Sequence, residues 1–285
     1  MSRSVDKTLP PLPPVVLTLA GSDPSGGAGL QADLKTIHAC GGYAATVVTS
    51  VTVQNTREVQ STYDLPLRVI EAQMTALFSD FDIRAVKTGM LSSKPIVRRV
   101  VRLLAQFSAP NLVVDPVLYA KGGYPLLHPD ALPILKSALI PQARLVTPNL
   151  PEAEALAEMQ IRSLDDATKA ARRIQELGCR AVLIKGGHVT AAIAGWEAAT
   201  DLLVDGEEVI PIRGEQITGV QPHGTGCVYS AAIATSLACG EPLVAAILKA
   251  KQQITSAIRH ARPLGGGHTI LHLPPHIPSP PQPST

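Results

Sequence analysis

Aromatic side chains are scarce: Phe, Tyr and Trp make up 3% of the 285 residues, although hydrophobic types reach 45%. A core must therefore be built from Ala, Val, Leu and Ile, which suits parallel strands covered by close-packed helices. Cysteine is sparse too. Cys40, Cys179, Cys227 and Cys239 show neither CxxC nor Cys/His ligand spacing, which excludes a disulfide scaffold and a zinc module and reads as reduced, cytoplasmic thiols. Charge of one sign is nowhere concentrated. The net +2 is spread along the chain, so no nucleic acid and no membrane partner is implied. No run approaches the ~18–20 apolar residues that span a bilayer, and the N-terminus has no basic segment leading into an apolar one.

Two signatures of nucleotide chemistry are also missing, the G-x-x-x-x-G-K-[ST] P-loop and the protein-kinase set. Gly27-Ala28-Gly29-Leu30-Gln31-Ala32 fits the G-x-G-x-x-A dinucleotide fingerprint. The next strand, however, ends in Gln54-Asn55-Thr56 where a ribose would need an acid, so these glycines read as a substrate loop with Asp23 as its polar contact, a turn or cap role being the alternative.

What is present is a repeated alternation. After a proline-rich arm over residues 1–14, an apolar run at Val15–Ala20 stops at the loop Gly21–Gly29, and a helix with Leu30, Leu34 and Ile37 follows. Further strands are expected at Tyr43–Val53, Ala85-Val86, Leu112–Val114, Leu145-Val146 and Ala181–Ile184, and helices near 67–79, 93–107, 129–137 and 165–177. Leu202–Val204 and Val209–Ile212 flank an Asp205-Gly206 turn and predict a hairpin. A helix near 243–259 closes a single domain over 15–264, followed by a Gly/Pro-rich tail over 265–285. The pattern predicts an α/β fold with a mostly parallel sheet, whose strand ends share one edge and one crevice.

One loop promises anion binding. His223-Gly224-Thr225-Gly226-Cys227 runs straight into a helix of small residues, so glycine-freed amides and the helix dipole converge on one point, and Cys227 sits where that field favours a thiolate. A plain turn with a buried Cys227 is the bland alternative. Other parts of a phosphoryl-transfer site stand at strand ends: Lys185 to offset phosphate charge, Asp115 and Glu152 to hold Mg²⁺ directly or through water, and the amides of 224–227 as an anion hole. His188 and His223 flank these parts and read as loop donors.

Seven segments occur in the order found in hydroxymethylpyrimidine and phosphomethylpyrimidine kinases: Gly21–Thr36, Val53–Thr56, Lys87–Leu91, Asp115-Pro116-Val117, Thr147–Ala153, Lys185–His188 and His223–Cys227. The chain resembles that family over residues 15–260. The resemblance implies a ribokinase-like three-layer sandwich, usually dimeric, and ATP-dependent phosphorylation of 4-amino-5-hydroxymethyl-2-methylpyrimidine and of its monophosphate for thiamine biosynthesis. It assigns Gln54 to the pyrimidine edge, with Gly21, Asp23, Met90 and Val117 lining the substrate pocket. Cys227 takes the place where many ribokinase-like enzymes have an aspartate base, Lys185 and Thr225 approach ATP, and Asn149 with Glu152 organises Mg²⁺. The sequence departs from the family at Leu118–Tyr124, with Tyr119 and Tyr124 over the pocket, at Thr88, and at Val228-Tyr229. Pyridoxal or pyridoxine kinase and a non-catalytic phosphopyrimidine sensor are the alternative functions.

Overall fold

The computed structural model describes residues 12–187, 193–220 and 222–273. Most of the expected arm, His188 and the tail beyond 273 lie outside the described residues.

The first βα unit sets the pattern. Strand β1 (Val15–Ser22) alternates its side chains between two buried layers, with Leu17 and Leu19 on one face and Val16 on the other. Helix α1 (Gly29–Ala39) returns the chain to β2 (Tyr43–Gln54), and a short antiparallel β3 (Val59–Asp64) follows at the sheet edge. Strand β3 is absent from the sequence reading because Gln60, Ser61, Thr62 and Asp64 dilute any apolar alternation. Next come α2 (Leu67–Asp80), β4 (Ile83–Thr88), α3 (Lys94–Gln106) and β5 (Leu112–Val114). In α3, Ile96, Val97, Val100, Leu103 and Leu104 form the helical stripe that packs on the sheet.

The helix expected near 129–137 is broken up. A 3₁₀ turn (Pro129–Ala131), a single α turn α4 (Leu132–Ile134), a π turn (Leu135–Leu139) and another 3₁₀ turn (Ile140–Gln142) succeed one another, because Pro129, Pro133 and Pro141 each remove a backbone donor. Strand β6 (Leu145–Val146), α5 (Leu150–Ala157), α6 (Leu164–Gln175) and β7 (Ala181–Ile184) complete the parallel part. The Asp205-Gly206 turn joins β8 (Asp201–Asp205) to β9 (Glu208–Ile212) as its sequence predicts.

The sheet has nine strands in the order β3-β2-β1-β4-β5-β6-β7-β8-β9, antiparallel only at its two margins. Helices α2, α3, α5 and α6 pack on one face, and α1, α7 (Thr225–Ala238) and α8 (Leu243–Arg259) on the other. Helix α7 is buried continuously from Val228 to Leu237, which its small side chains allow as it lies between the sheet and both neighbouring helices.

Residues 265–273, expected as the start of a tail, belong to the described fold. Gly265–Gly267 pack against Thr56 and Arg57, and Thr269–Ile270 form β11, parallel to β10 (Pro222–His223). Backbone pairing along this strap reaches Ile270, and Leu271 and Leu273 pack on the core beyond it.

Candidate active site

From β1 the chain passes to β2 on one side and then returns to β4 on the other, so a crevice opens at the carboxyl ends of β1 and β4. A cavity of about 450 Å³ lies there. Gly21 and Asp23 enter it from the end of β1, Gln54 from β2, Met90 from β4 and Val117 with Asp115 from β5. Asn149 and Glu152 come from the β6–α5 junction, Lys185 from β7, and Gly224, Thr225, Gly226 and Cys227 from the start of α7. The residues assigned to catalysis, substrate, nucleotide and metal are therefore in one place, whereas Tyr124 does not line this cavity and His188 lies outside the described residues. The cavity also takes in Lys87 and His223, and a hairpin at 119–125, held by Ala120 N–H to Tyr124 O (2.8 Å), forms part of its wall.

The anion loop is built as the glycines demand. Gly224 caps α7 at φ +78°, and a Cβ there would lie 1.9 Å from the Gly27 carbonyl oxygen. No side chain caps the helix, so the amides of its first turn keep donors for a ligand. At Gly226 a Cβ would stand 3.1 Å from Lys185 Nζ and 3.4 Å from Asp115 Oδ2, which places the anion loop directly against the charged cluster.

Asp23 shapes its own loop. It is 2% exposed, and Oδ1 accepts from Ser25 N–H (2.9 Å) while Oδ2 accepts from Ala28 N–H (2.8 Å). Burial pushes its pKa upward, but the His223 contact and these hydrogen bonds outweigh it and hold the carboxyl below its usual range. The turn role is thus realised, with both oxygens already engaged. His223, expected only as a loop donor, has Nε2 at 2.9 Å from Gln54 Nε2 and 3.3 Å from Asp23 Oδ2. One ring nitrogen serves one of these partners at a time: it accepts from the Gln54 amide or donates to Asp23.

A chain of charges crosses the floor. Lys185 Nζ donates to Asp115 Oδ1 at 2.7 Å, and Thr147 Oγ1 donates to the same oxygen at 3.1 Å. Burial opposes the charge on Asp115, yet Lys185 and then Lys87 hold its pKa below the ordinary value. Burial likewise opposes the Lys185 ammonium, and Asp115 with Glu152 raises its pKa overall. Glu152 closes a capping box at the start of α5, where Oε2 accepts from Asn149 N–H (2.8 Å) and Asn149 Oδ1 accepts from Glu152 N–H (2.9 Å). Burial pushes the Glu152 carboxyl up to about 7, against the pull of Lys185 and with the push of Asp115.

Sequence reasoning missed Lys87 as a chemical group, reading it only as part of a motif. It is fully buried, and Nζ donates to both Asp33 oxygens at 2.9 and 2.8 Å, with Thr18 Oγ1 donating to Asp33 Oδ2 at 2.6 Å. The β1–β4 register places Lys87 beside Thr18, under α1. The available signal was a lysine directly after Ala85-Val86 in the strand, matched by an acid at Asp33 in helical register with the apolar Leu30 and Ile37.

The lowered pKa expected at Cys227 is not what this environment produces. Burial pushes the thiol up to about 11; Lys87 and the Gly29 amide pull it down, but Asp33 and Asp115 add to the rise. The helix terminus is outweighed by desolvation and by two neighbouring carboxylates.

An α/β sandwich whose switch-point cavity joins an uncapped helix start to a lysine and two carboxylates has the architecture of a small-molecule kinase of the ribokinase-like class. The phosphomethylpyrimidine kinase family profile matches residues 23–272. Among relatives, the hydroxymethylpyrimidine/phosphomethylpyrimidine kinase of Streptomyces coelicolor is 44% identical over 91% of this chain and 94% of its own length. The thiamine biosynthesis bifunctional protein ThiED of Geobacter sulfurreducens is 46% identical over 89% of this chain, which spans 51% of that longer protein. Among solved structures, the ADP complex of Bacillus subtilis pyridoxal kinase superposes with a TM-score of 0.83 at 34% identity, covering 92% of this chain and 97% of that one. The chain belongs to the phosphomethylpyrimidine kinase family.

Proposed function

We propose that this protein transfers the γ-phosphoryl group of ATP to the hydroxyl of 4-amino-5-hydroxymethyl-2-methylpyrimidine, and then phosphorylates the resulting monophosphate to the diphosphate used in thiamine biosynthesis. The observation that carries this reading is the single cavity in which Gln54 and Met90 face Lys185, Asp115, Glu152 and the first turn of α7. The Gln54 amide can donate to and accept from the ring edge once His223 turns its proton to Asp23. Met90, 7% exposed, and Val117 supply apolar contact. Lys185 and the amides of residues 224–227 receive the oxygens of the transferring group, and Thr225 and Asn149 stand beside the nucleotide phosphates.

The donor set also fits Mg²⁺. Two buried carboxylates, Asp115 and Glu152, lie beside one lysine, and burial first, then the Asp115 charge, raise the Glu152 carboxyl, a cost that a bound cation would relieve. Mg²⁺ held there would supply positive charge to the phosphate oxygens. Cys227 stands beside the acceptor oxygen as its proton acceptor. Because its thiol is high in pKa, only a minor fraction is thiolate at neutral pH, and transfer depends chiefly on positioning and charge, as a loose transition state permits.

The four cysteines are free, and no described helix is long and apolar enough to cross a membrane; we place the protein in the cytoplasm. A homodimer is supported by Val51, Val53 and Tyr63, which leave an apolar face open on the β2–β3 hairpin, with Val51 paired to Tyr63.

An ATP-to-ADP assay across the pyrimidine alcohol, its monophosphate, pyridoxine and pyridoxal tests the function. Turnover of both pyrimidine acceptors is expected. Preference for the B6 alcohols transfers the assignment to pyridoxal kinase, the reading that the Bacillus subtilis likeness favours, and ligand binding without turnover makes the protein a sensor.

A further inference from the structure

A second hollow, of about 540 Å³, adjoins the first and shares Gln54, Lys121 and His223 with it. Three distant segments wall it: the turn between β2 and β3, the 119–125 hairpin and the C-terminal strap. Backbone bonds fix the strap, with His268 N–H donating to Thr56 O at 2.8 Å, Gly267 N–H to Thr56 Oγ1 at 3.2 Å, and Ile270 paired with His223. The fold thereby gathers Arg57, Lys121 and His268 around one space.

Among the described residues none of these three has a carboxylate within ion-pair distance. Lys121 Nζ donates to the Pro222 carbonyl at 2.9 Å. The carboxylate in the wall, Glu58, is exposed and accepts from Gln60. Burial first, then Lys121 and His223, hold the His268 imidazole below its usual range, so it meets an anion as a neutral N–H donor beside the charges of Arg57 and Lys121.

On the function proposed above, the first acceptor is a neutral alcohol, whereas the second acceptor and the final product carry phosphate. A cationic hollow opening onto the transfer cavity discriminates between them. We propose that Arg57, Lys121 and His268 form a second anion subsite that captures the phosphate of the phosphorylated pyrimidine as it enters or leaves the transfer cavity. The inference rests on the two-step reading. Such a site acts on encounter and retention, since exposed charges raise the local concentration of an anion and are screened by salt.

The test compares the full chain with an Arg57→Gln, His268→Asn double variant, neither position lying in the transfer cavity. At low ionic strength the KM for the monophosphate should rise about five- to tenfold, with the alcohol KM within about twofold and kcat unchanged; ~0.5 M salt should abolish the difference. Equal losses for both acceptors, or an unchanged monophosphate KM, overturn the proposal. A second arm needs no turnover: inorganic pyrophosphate should shift the His268 ring resonances of the wild-type chain, and the Arg57→Gln single variant should lose that shift. No shift refutes the subsite even in an active enzyme, whereas a shift in a protein that phosphorylates neither pyrimidine retains the anion site and rejects the two-step reading. If ADP shifts His268 as strongly as pyrophosphate and the variant's KM for ATP rises with it, the hollow serves the nucleotide and the proposal falls.

Discussion

Two residues in the floor of the cavity show how neighbours set chemistry. Cys227 meets a field that sequence position alone misjudges: the helix start favours a thiolate, but burial and the Asp33 and Asp115 carboxylates push the thiol up to about 11. If the minor thiolate accepts the hydroxyl proton, kcat/KM should climb with pH across the neutral range, and Cys227→Ala should bind the pyrimidine but lose most turnover and flatten that profile. A flat wild-type profile removes Cys227 as base. Lys87 offers a complementary case, being fully buried with its charge balanced by Asp33. Lys87→Met leaves the Asp33 carboxylate buried without a counter-charge and should cost ~3–5 kcal/mol, read as a lowered urea midpoint. Adding Asp33→Leu should recover much of that loss, and additive losses would deny the pairing its energetic weight.

At the scale of elements, helix starts carry the site, and two of them predict opposite responses to substitution. Glu152 belongs to the capping box of α5 and to the cavity at once. Its carboxyl is raised from about 4.5 to about 7, so the folded protein holds this proton more tightly than the unfolded chain. The associated stability is complete below the lower value and is lost as pH rises through the upper one. Glutamine preserves the capping geometry without the charge. Glu152→Gln should therefore melt higher than wild type at pH 8, by ~2–4 °C for each kcal/mol gained, with the gap closing toward pH 5, while phosphoryl transfer falls sharply. A gap that widens in acid contradicts the assignment. At α7 the expected direction is reversed: Gly224→Ala meets both a positive φ and the Gly27 carbonyl, so it should lower thermal stability and nucleotide affinity together. Unchanged ATP binding there would detach the loop from the nucleotide.

At the scale of the whole molecule, the β2–β3 hairpin is the test of assembly. Tyr63, 63% exposed, lies with Val51 on its open apolar face, so light scattering should give a dimer mass for the wild type and a monomer mass for Tyr63→Glu. A monomeric wild type rejects the dimer. The layered fold behind that hairpin was legible from periodicity: alternating apolar runs such as Val15–Ala20 and helical stripes such as Ile96–Leu104 record burial directly. Polar β3, the proline-broken stretch at 129–142 and the strap at 262–271 were not, because long-range backbone pairing or repeated loss of donors decides them. The same division holds at the site. Glycines, strand-end lysines and acids could be read in order as a phosphoryl-transfer set, since each residue type is suited to its task by its own chemistry. The engagement of Asp23 by its own loop is local and was open to sequence reading as a turn role, but the two alternatives at His223, the burial of Lys87 on Asp33 and the raised thiol of Cys227 arise from groups far apart in the chain and were not readable. Local pattern determines where a residue sits along an element, whereas desolvation and opposing charge depend on what the fold packs against it.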